Sequence, residues 1–177
     1  MTASTPAQTD PERADLLAGL GAARHFLRFT VRDLTDEQAR QRTTASELTL
    51  GGLIKHVASV EQGWASFVLE GPSALGDSSA MTEADMANWA DQFKLLPDET
   101  LAGVLAGYDK VAQRTDDLVT SLPELNLSHP LPNAPWFPPG ERRSARRVFL
   151  HIIAETAQHS GHADIIRESL DGAKSMG

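Results

Sequence analysis

The amino-acid sequence predicts an all-α protein, a four-helix bundle with uneven and partly long connections. Apolar residues recur at helical spacing in four long segments, and capping or helix-ending residues bound each segment. No segment shows the alternation typical of strands, and no internal repeat is found. With 177 residues, 41% of them hydrophobic, the chain can form one continuous core. We therefore expect a single domain over residues 1–177, with flexible ends at residues 1–10 and 172–177.

The first predicted helix runs from Pro11 to Leu34. Its apolar residues follow one another at intervals of mostly three and four: Leu16, Leu17, Leu20, Ala23, Phe26, Leu27 and Val31. The residues from Thr35 to Gln38 begin a further short turn of helix. A polar connection follows from Arg40 to Glu47.

The second long helix is predicted from Leu50 to Leu69. Thr49 is a suitable N-cap, and the pair Gly71-Pro72 is a typical stop signal. We expect a loop from Pro72 to Thr82 because this stretch is rich in serine, glycine and proline. A short helix is then predicted through Met86, Trp89 and Phe93.

The third long helix is predicted to start near Pro97 and to run to Leu122, with an acidic first turn that suits the helix dipole. Pro123 ends it, because proline disfavours helical conformation in the residue before it. The segment from Pro123 to Gly140 contains six prolines and cannot be helical throughout. Long loops of this kind tend to be functional.

The last long helix is predicted from Ala145 to Leu170. Ser144 can cap its N-terminus, and Asp171-Gly172 marks its end. This helix carries the most informative motif of the chain.

Charge and composition exclude several classes of function. The chain has 24 acidic and 16 basic residues, a formal charge of −8, so we expect no binding of DNA or RNA. It has no cysteine, which excludes disulfides and thiolate ligands and leaves nitrogen and oxygen donors for any metal. No apolar segment approaches the roughly 20 residues that cross a bilayer, and the first ten residues lack a signal-peptide core. We expect a cytoplasmic protein without membrane association.

Three of the six histidines and one glutamate lie within twelve residues of the last helix. His151, Glu155, His159 and His162 follow one another at offsets of four, four and three, which return to nearly the same helix face. His56 of the second long helix can complete a site from across the bundle. Imidazole and carboxylate donors suit zinc above all, and also nickel, iron or manganese.

Structural interpretations compete with metal binding at these positions. A lone histidine such as His56 on an apolar helix face is more often a hydrogen-bonded core residue than a ligand. An inward Glu155 needs a cation or a hydrogen-bonding partner, and His151 at i−4 can be that partner. HxxxExxxHxxH is a short pattern and moderately specific by itself.

The chain resembles the DinB-like superfamily of metal-binding four-helix bundles, and specifically its DUF664 branch. The resemblance covers most of the chain and depends on two motifs. One is LGGLIKHVASVE, which starts at Leu50, and the other is RVFLHIIAETAQHSGHADIIRE, which starts at Arg147. Mycothiol-dependent maleylpyruvate isomerase and the bacillithiol S-transferases belong to the same superfamily.

The resemblance implies that His56, Glu155 and His159 bind a divalent metal ion. Glutamate at position 155 is typical of the maleylpyruvate isomerase variant, whereas many relatives have histidine there. His162 stands where many relatives have glutamine, so it is a candidate for a fourth ligand, for a substitute for Glu155, or for a catalytic base.

The resemblance also implies an enzyme that activates an external low-molecular-weight thiol, such as mycothiol or bacillithiol, for attack on a small electrophile. We expect a thiol S-transferase or isomerase, and a homodimer, which is common among similar bundles. Arg146, Arg147 and Trp136 are candidates for substrate contact. Two alternatives stay open: a non-catalytic stress or ligand-binding protein that a metal stabilises, and a metal-dependent hydrolase with His162 or Glu61 as its base.

Overall fold

The computed structural model describes residues 10–76, 82 and 90–175, and their structure is mostly helical, which confirms the all-α prediction. The four long helices α1, α3, α4 and α5 form the bundle, and α3 packs against both α4 and α5 while α1 packs mainly against α5. The helices are α1 Pro11–Phe29, α2 Asp36–Arg40, α3 Leu50–Glu70, α4 Leu101–Ser121 and α5 Ala145–Asp171, with a 3-10 helix at Gly71–Leu75.

Side-chain caps fix several of these boundaries as predicted. The Thr35 hydroxyl accepts a hydrogen bond from the Gln38 backbone, and the Gln38 side chain accepts one from the Thr35 backbone, which completes a capping box. The Thr49 hydroxyl caps α3 by accepting a hydrogen bond from the Gly52 backbone, and the Ser144 hydroxyl caps α5 by accepting one from the Arg147 backbone. At the other end of α5, Gly172 takes a left-handed conformation with a φ of 79°.

The end of the first helix is a correction. Helix α1 ends at Phe29, and the chain turns before Leu34, with Asp33 at a φ of 59°. The apolar pattern in the sequence extends past the helix, because Val31 of the following turn is also buried. The turn is held by Arg167, whose guanidinium donates to the carbonyls of Thr30 and Arg32, each at 2.8 Å.

The start of α4 is a second correction. The helix begins at Leu101 and not near Pro97, because the Thr100 hydroxyl accepts a hydrogen bond from the Gly103 backbone at 3.0 Å. The two acidic residues of the predicted first turn, Asp98 and Glu99, lie before the helix. The Glu99 carboxylate accepts a hydrogen bond from the Leu96 backbone at 2.8 Å and pairs with Lys55 of α3 at 2.7 Å.

Two short strands are a third difference from the prediction. Strand β1, Ser128–Pro130, pairs antiparallel with β2, Arg142–Ser144, so that Ser128 lies opposite Ser144. Three residues per strand are too few to produce a recognisable alternation. The pairing ties the proline-rich segment to the N-terminus of α5.

Some predicted features fall outside the described residues. Met86 and Trp89 of the predicted short helix are among them, whereas Phe93 lies in a turn. The expected flexible ends are described only at residue 10 and over residues 172–175. Where a loop was predicted from Pro72, the chain first forms the 3-10 helix.

A buried polar layer lies between two apolar clusters of the bundle. One cluster surrounds Phe67 and Phe149, and the other surrounds Leu53 and Tyr108. On each long helix, buried polar residues lie between the parts that contribute to the two clusters: Arg24, Glu61, Thr115, Thr156 and Ser160. Such groups are stable in an interior only when they have partners.

The centre of this polar layer is an ion pair between Arg24 and Glu61. Glu61 is 0% exposed, and its two oxygens accept hydrogen bonds from the Arg24 guanidinium at 3.2 and 2.5 Å. Arg24 also donates to Asp116 at 2.8 Å. Glu61 is therefore occupied by a structural pair inside the bundle, which leaves it unavailable as the base considered from the sequence.

Candidate metal centre

His56 of α3 and Glu155 and His159 of α5 lie together on one side of the bundle. One donor atom from each falls within 4.8 Å of the others. Oxygen Oε1 of Glu155 is 3.2 Å from Nε2 of His159 and 3.7 Å from Nε2 of His56. The three residues predicted from the resemblance are thus brought together by the fold.

The antiparallel packing of α3 and α5 explains how residues so distant in sequence meet. Trp64, two turns after His56 on α3, contacts His151, which precedes Glu155 on α5. Glu155 and His159 are four residues apart and therefore lie one above the other on the same helix face. The sequence spacing thus fixes the pair of Glu155 and His159, and the packing of α3 against α5 brings His56 beside it.

Two glycines at the start of α3 allow a covering segment to approach His56. A Cβ atom on Gly52 would lie only 1.8 Å from the carbonyl oxygen of Phe93, and one on Gly51 would lie 3.0 Å from the Leu95 side chain. Because both side chains are absent, residues 93–95 cross closely over the helix. The Phe93 ring then stacks on the His56 ring, with centroids 4.3 Å apart.

The donor set fits a divalent cation. The hydrogen bond with His159 and the nearby imidazole of His56 lower the pKa of Glu155 well below its usual range, against the opposing effect of burial, so the carboxylate is ionised. Ligands about 2.0–2.2 Å from one ion lie roughly 3–4 Å apart, close to the spacings found here. The buried Nδ1 of His56 has no hydrogen-bond partner in the structure. One carboxylate and two imidazoles can therefore hold a metal ion with nitrogen and oxygen ligands.

His162 lies beside this group and not within it. Its Nδ1 is 3.3 Å from Nδ1 of His159, on the side of that ring away from Glu155. One of the two Nδ1 atoms must donate in this contact; if it is that of His159, its Nε2, which faces Glu155, would carry no proton and could bind a metal ion. The contact suits a residue that orients a ligand.

His151 belongs to the other end of the same helix face. Its ring meets Trp64 edge to face, with centroids 4.9 Å apart. Burial lowers the pKa of His151, the positive charges of Arg143 and Arg147 lower it further, and Glu155 partly opposes them. His151 is therefore held in its neutral form, and it makes no hydrogen bond to Glu155.

Arg143 is the site feature that sequence reasoning missed. In the sequence, Arg142, Arg143, Arg146 and Arg147 form a basic cluster that is typical of a helix start, whereas the structure places Arg143 in strand β2. Its guanidinium lies over the rings of Trp64 and Phe137, at 4.8 and 5.4 Å from their centroids. Only tertiary packing places it there, so no local signal could have identified it.

The other candidates for substrate contact have different positions. Arg146 is paired with Glu12, and it also donates to Asn126 at 2.5 Å. Trp136 is 65% exposed and borders an aromatic cavity of about 200 Å³ that Trp64 and Phe137 also line. This cavity gives a small apolar molecule room beside the α5 face.

No helix in the described part of the chain is both long enough and apolar enough to cross a membrane.

Comparison with known proteins identifies the family. The family model described as Mycothiol-S-transferase matches residues 15–172, which include both helices of the donor group. No curated protein matches the chain significantly. The chain therefore belongs to the mycothiol S-transferase family, within the DinB-like proteins.

Proposed function

We propose that the protein is a metal-dependent thiol S-transferase that joins mycothiol to a small electrophile. The observation that carries the proposal is the group His56, Glu155 and His159, in a chain whose family is described by this activity. The chain has no cysteine, so the reacting thiol comes from a second molecule. Its sulfur adds to one carbon of an electrophilic carbon–carbon double bond, the π bond breaks, and the thiol proton ends on the adjacent carbon.

The three side chains would hold the ion, with zinc the first expectation and nickel, iron or manganese the others. When bound, such a cation lowers the pKa of a thiol and so makes it nucleophilic at neutral pH. Glu155 supplies the negative charge of the ligand set. Phe93 limits the movement of the His56 ring and excludes water from its face.

We assign to His162 the orientation of His159 through the contact between their Nδ1 atoms. The roles of fourth ligand and of base stay predictions for this residue. Replacement of His162 by alanine is expected to weaken metal binding roughly 10- to 100-fold, the usual effect of losing a residue that orients a ligand. A coordination number that falls by one in X-ray absorption spectra would instead support the fourth-ligand role.

Metal content and thiol consumption test the proposal together. Purified protein is expected to contain about one divalent ion per chain and to accelerate loss of mycothiol with a panel of electrophiles. His159→Asn is expected to lose both properties. His25→Asn is the matched control, because His25 is an exposed histidine of α1 whose ring contacts the Phe26 and Phe29 rings.

Two outcomes would contradict the proposal. Stoichiometric metal without thiol chemistry on any substrate would favour the non-catalytic alternative, in which the ion only stabilises the bundle. Ester or amide turnover without a thiol would favour the hydrolase. The proposed homodimer is a separate question, which light scattering of the purified protein answers.

A further inference from the structure

We propose that Arg143 and Arg147 bind a carboxylate of the electrophilic substrate, at the end of the α5 face opposite to His159. The use of this carboxylate in catalysis depends on the proposed function, whereas its binding by the two arginines does not. The evidence lies in guanidinium groups whose donors neighbouring residues leave without a hydrogen-bond acceptor.

Arg143 lacks an acceptor for much of its guanidinium. Its side chain is 12% exposed, and its Nε and Nη1 atoms are buried without a hydrogen-bond partner in the structure. A Glu141 oxygen lies 3.5 Å from Nε, near enough for an ion pair but without a hydrogen bond. The rings of Trp64 and Phe137 give a weak cation–π attraction instead. A cation so desolvated gains strongly from a nearby anion.

Arg147 adds a second charge that can reach solvent. Its side chain is exposed, and no ion pair or side-chain hydrogen bond involves it among the described residues. Its neighbours differ, because Arg146 is paired with Glu12, and Arg142 donates to the Ser128 carbonyl at 2.7 Å. Arg142 and Arg146 thus use their guanidinium groups in hydrogen bonds within the protein. Arg143 and Arg147 keep donors that are available to a bound anion.

The two available arginines continue the line of the donor residues. Arg143, Arg147, His151, Glu155 and His159 follow one another at intervals of four, although the first precedes the helix. Both arginines lie close enough to His151 to act on its charge. Arg147 precedes Glu155 by eight residues, which is about 12 Å along a helix. One end of the face is therefore positive, and the other end carries the donor group.

This distance suits a thiol sulfur at one end and one small electrophile that extends from it to the other end. The sulfur beside the donor group and the carboxylate of the electrophile beside the arginines would together occupy most of the 12 Å. The remaining gap corresponds to a few bonds between the electrophilic carbon and the carboxylate. The aromatic cavity next to Trp64 can hold an apolar group attached to such a molecule.

Binding of an unreactive pair of compounds tests the subsite without any catalysis. 4-Oxo-4-phenylbutanoate and its primary amide differ in charge and in a single heavy atom, and quenching of tryptophan fluorescence can report their binding beside Trp64. The wild-type protein is expected to bind the carboxylate roughly 10- to 100-fold more tightly, as for a charge-assisted hydrogen bond. Equal affinity for both compounds would overturn the proposal.

Variants assign the preference to the two arginines. Arg143→Gln and Arg147→Gln are each expected to reduce the carboxylate-to-amide ratio several-fold, whereas Arg143→Lys retains part of it. Arg142→Gln is the matched control, since it removes the same charge from the adjacent position and should keep the ratio. Circular dichroism verifies that each variant is folded. A ratio unchanged in both glutamine variants would also overturn the proposal.

Turnover then separates the two proposals. The unsaturated analogues, 4-oxo-4-phenylbut-2-enoate and its amide, add a thiol across their carbon–carbon double bond, and the thiol proton goes to the adjacent carbon. With mycothiol, we expect kcat/KM to favour the carboxylate by a factor similar to that seen in binding. Turnover of both analogues without this preference would contradict the subsite alone. Absence of turnover with either analogue would contradict the S-transferase activity, and the binding result would still decide the subsite.

Discussion

Replacement of Gly52 by alanine tests how closely the segment around Phe93 must approach the donor group. The added Cβ would lie 1.8 Å from the Phe93 carbonyl oxygen and 2.8 Å from the Lys94 nitrogen. Ordinary contact begins at 3.4 Å, so the segment must withdraw by about 1.6 Å, the difference between 3.4 and 1.8 Å. The hydrogen bond from the Thr49 hydroxyl to the same oxygen, now 3.4 Å long, would break.

The expected cost is about 1–3 kcal/mol, the usual range for an added methyl group in a closely packed region. For a chain of this size the melting temperature should fall by roughly 2–4 °C per kcal/mol. The Phe93 ring would also leave His56, so metal affinity should fall in the same variant. Thermal unfolding followed by circular dichroism, with and without metal, measures both effects.

Gly107→Ala is the matched control for this prediction. Gly107 is an exposed residue within α4, and a Cβ there meets nothing within 4 Å. The same substitution should stabilise the protein by up to about 1 kcal/mol, because alanine favours helix over glycine. If Gly52→Ala proved as stabilising as Gly107→Ala, the close approach and its role at His56 would be refuted.

Three further predictions concern charge and metal. Arg24→Met should destabilise the protein by about 3–5 kcal/mol, because it leaves the Glu61 carboxylate buried without its main partner. Denaturant unfolding measures this loss. The double variant Arg24→Met, Glu61→Leu should recover much of it. The hydrogen bond from Arg167 lowers the pKa of Asp171 in the folded protein, so its stabilising contribution is present above the unfolded value of about 3.9 and is lost as the pH falls through the lower folded value. The Asp171→Asn variant should therefore lose less stability than the wild type between pH 5 and 2 in a denaturation series, and an identical loss would contradict this. Removal of the metal by a chelator should lower the melting temperature, since an ion present at 100 times its Kd stabilises the folded state by about 2.7 kcal/mol; an unchanged melting temperature would show that the ion is absent or bound too weakly.

Local chemistry accounts for the parts of the molecule that the sequence could predict. The caps at Thr49 and Ser144 depend on a side chain and a backbone group only three residues away. The i,i+4 relation of Glu155 and His159 follows equally from one helix. The usual placement of ligands on facing helices makes His56 a candidate, and the resemblance groups it with Glu155 and His159, but nothing in its own segment shows that it faces α5.

Tertiary contacts account for what the sequence could not predict. The sequence leaves Glu61 open as a base, whereas its bidentate pair with Arg24 of another helix excludes that role. The basic cluster that contains Arg143 is typical of a helix start, and only the pairing of β1 with β2 places Arg143 over Trp64. The sequence also does not predict the end of α1 at Phe29, because the turn that follows depends on Arg167, which lies far away in sequence.

The buried polar layer has a consequence for the alignment of the helices along their axes. A slip of one helix by one turn, about 5.4 Å, would move Arg24 or Glu61 into an apolar cluster and separate their hydrogen-bonding groups. The layer therefore selects one sliding position of each helix against the others. Glu61 lies five residues after His56, and Thr156 of the same layer follows Glu155 directly, so the position that satisfies the layer also sets these two candidate ligands opposite each other. A substitution in the layer should accordingly shift the spacing of the donor atoms even where His56, Glu155 and His159 are unchanged.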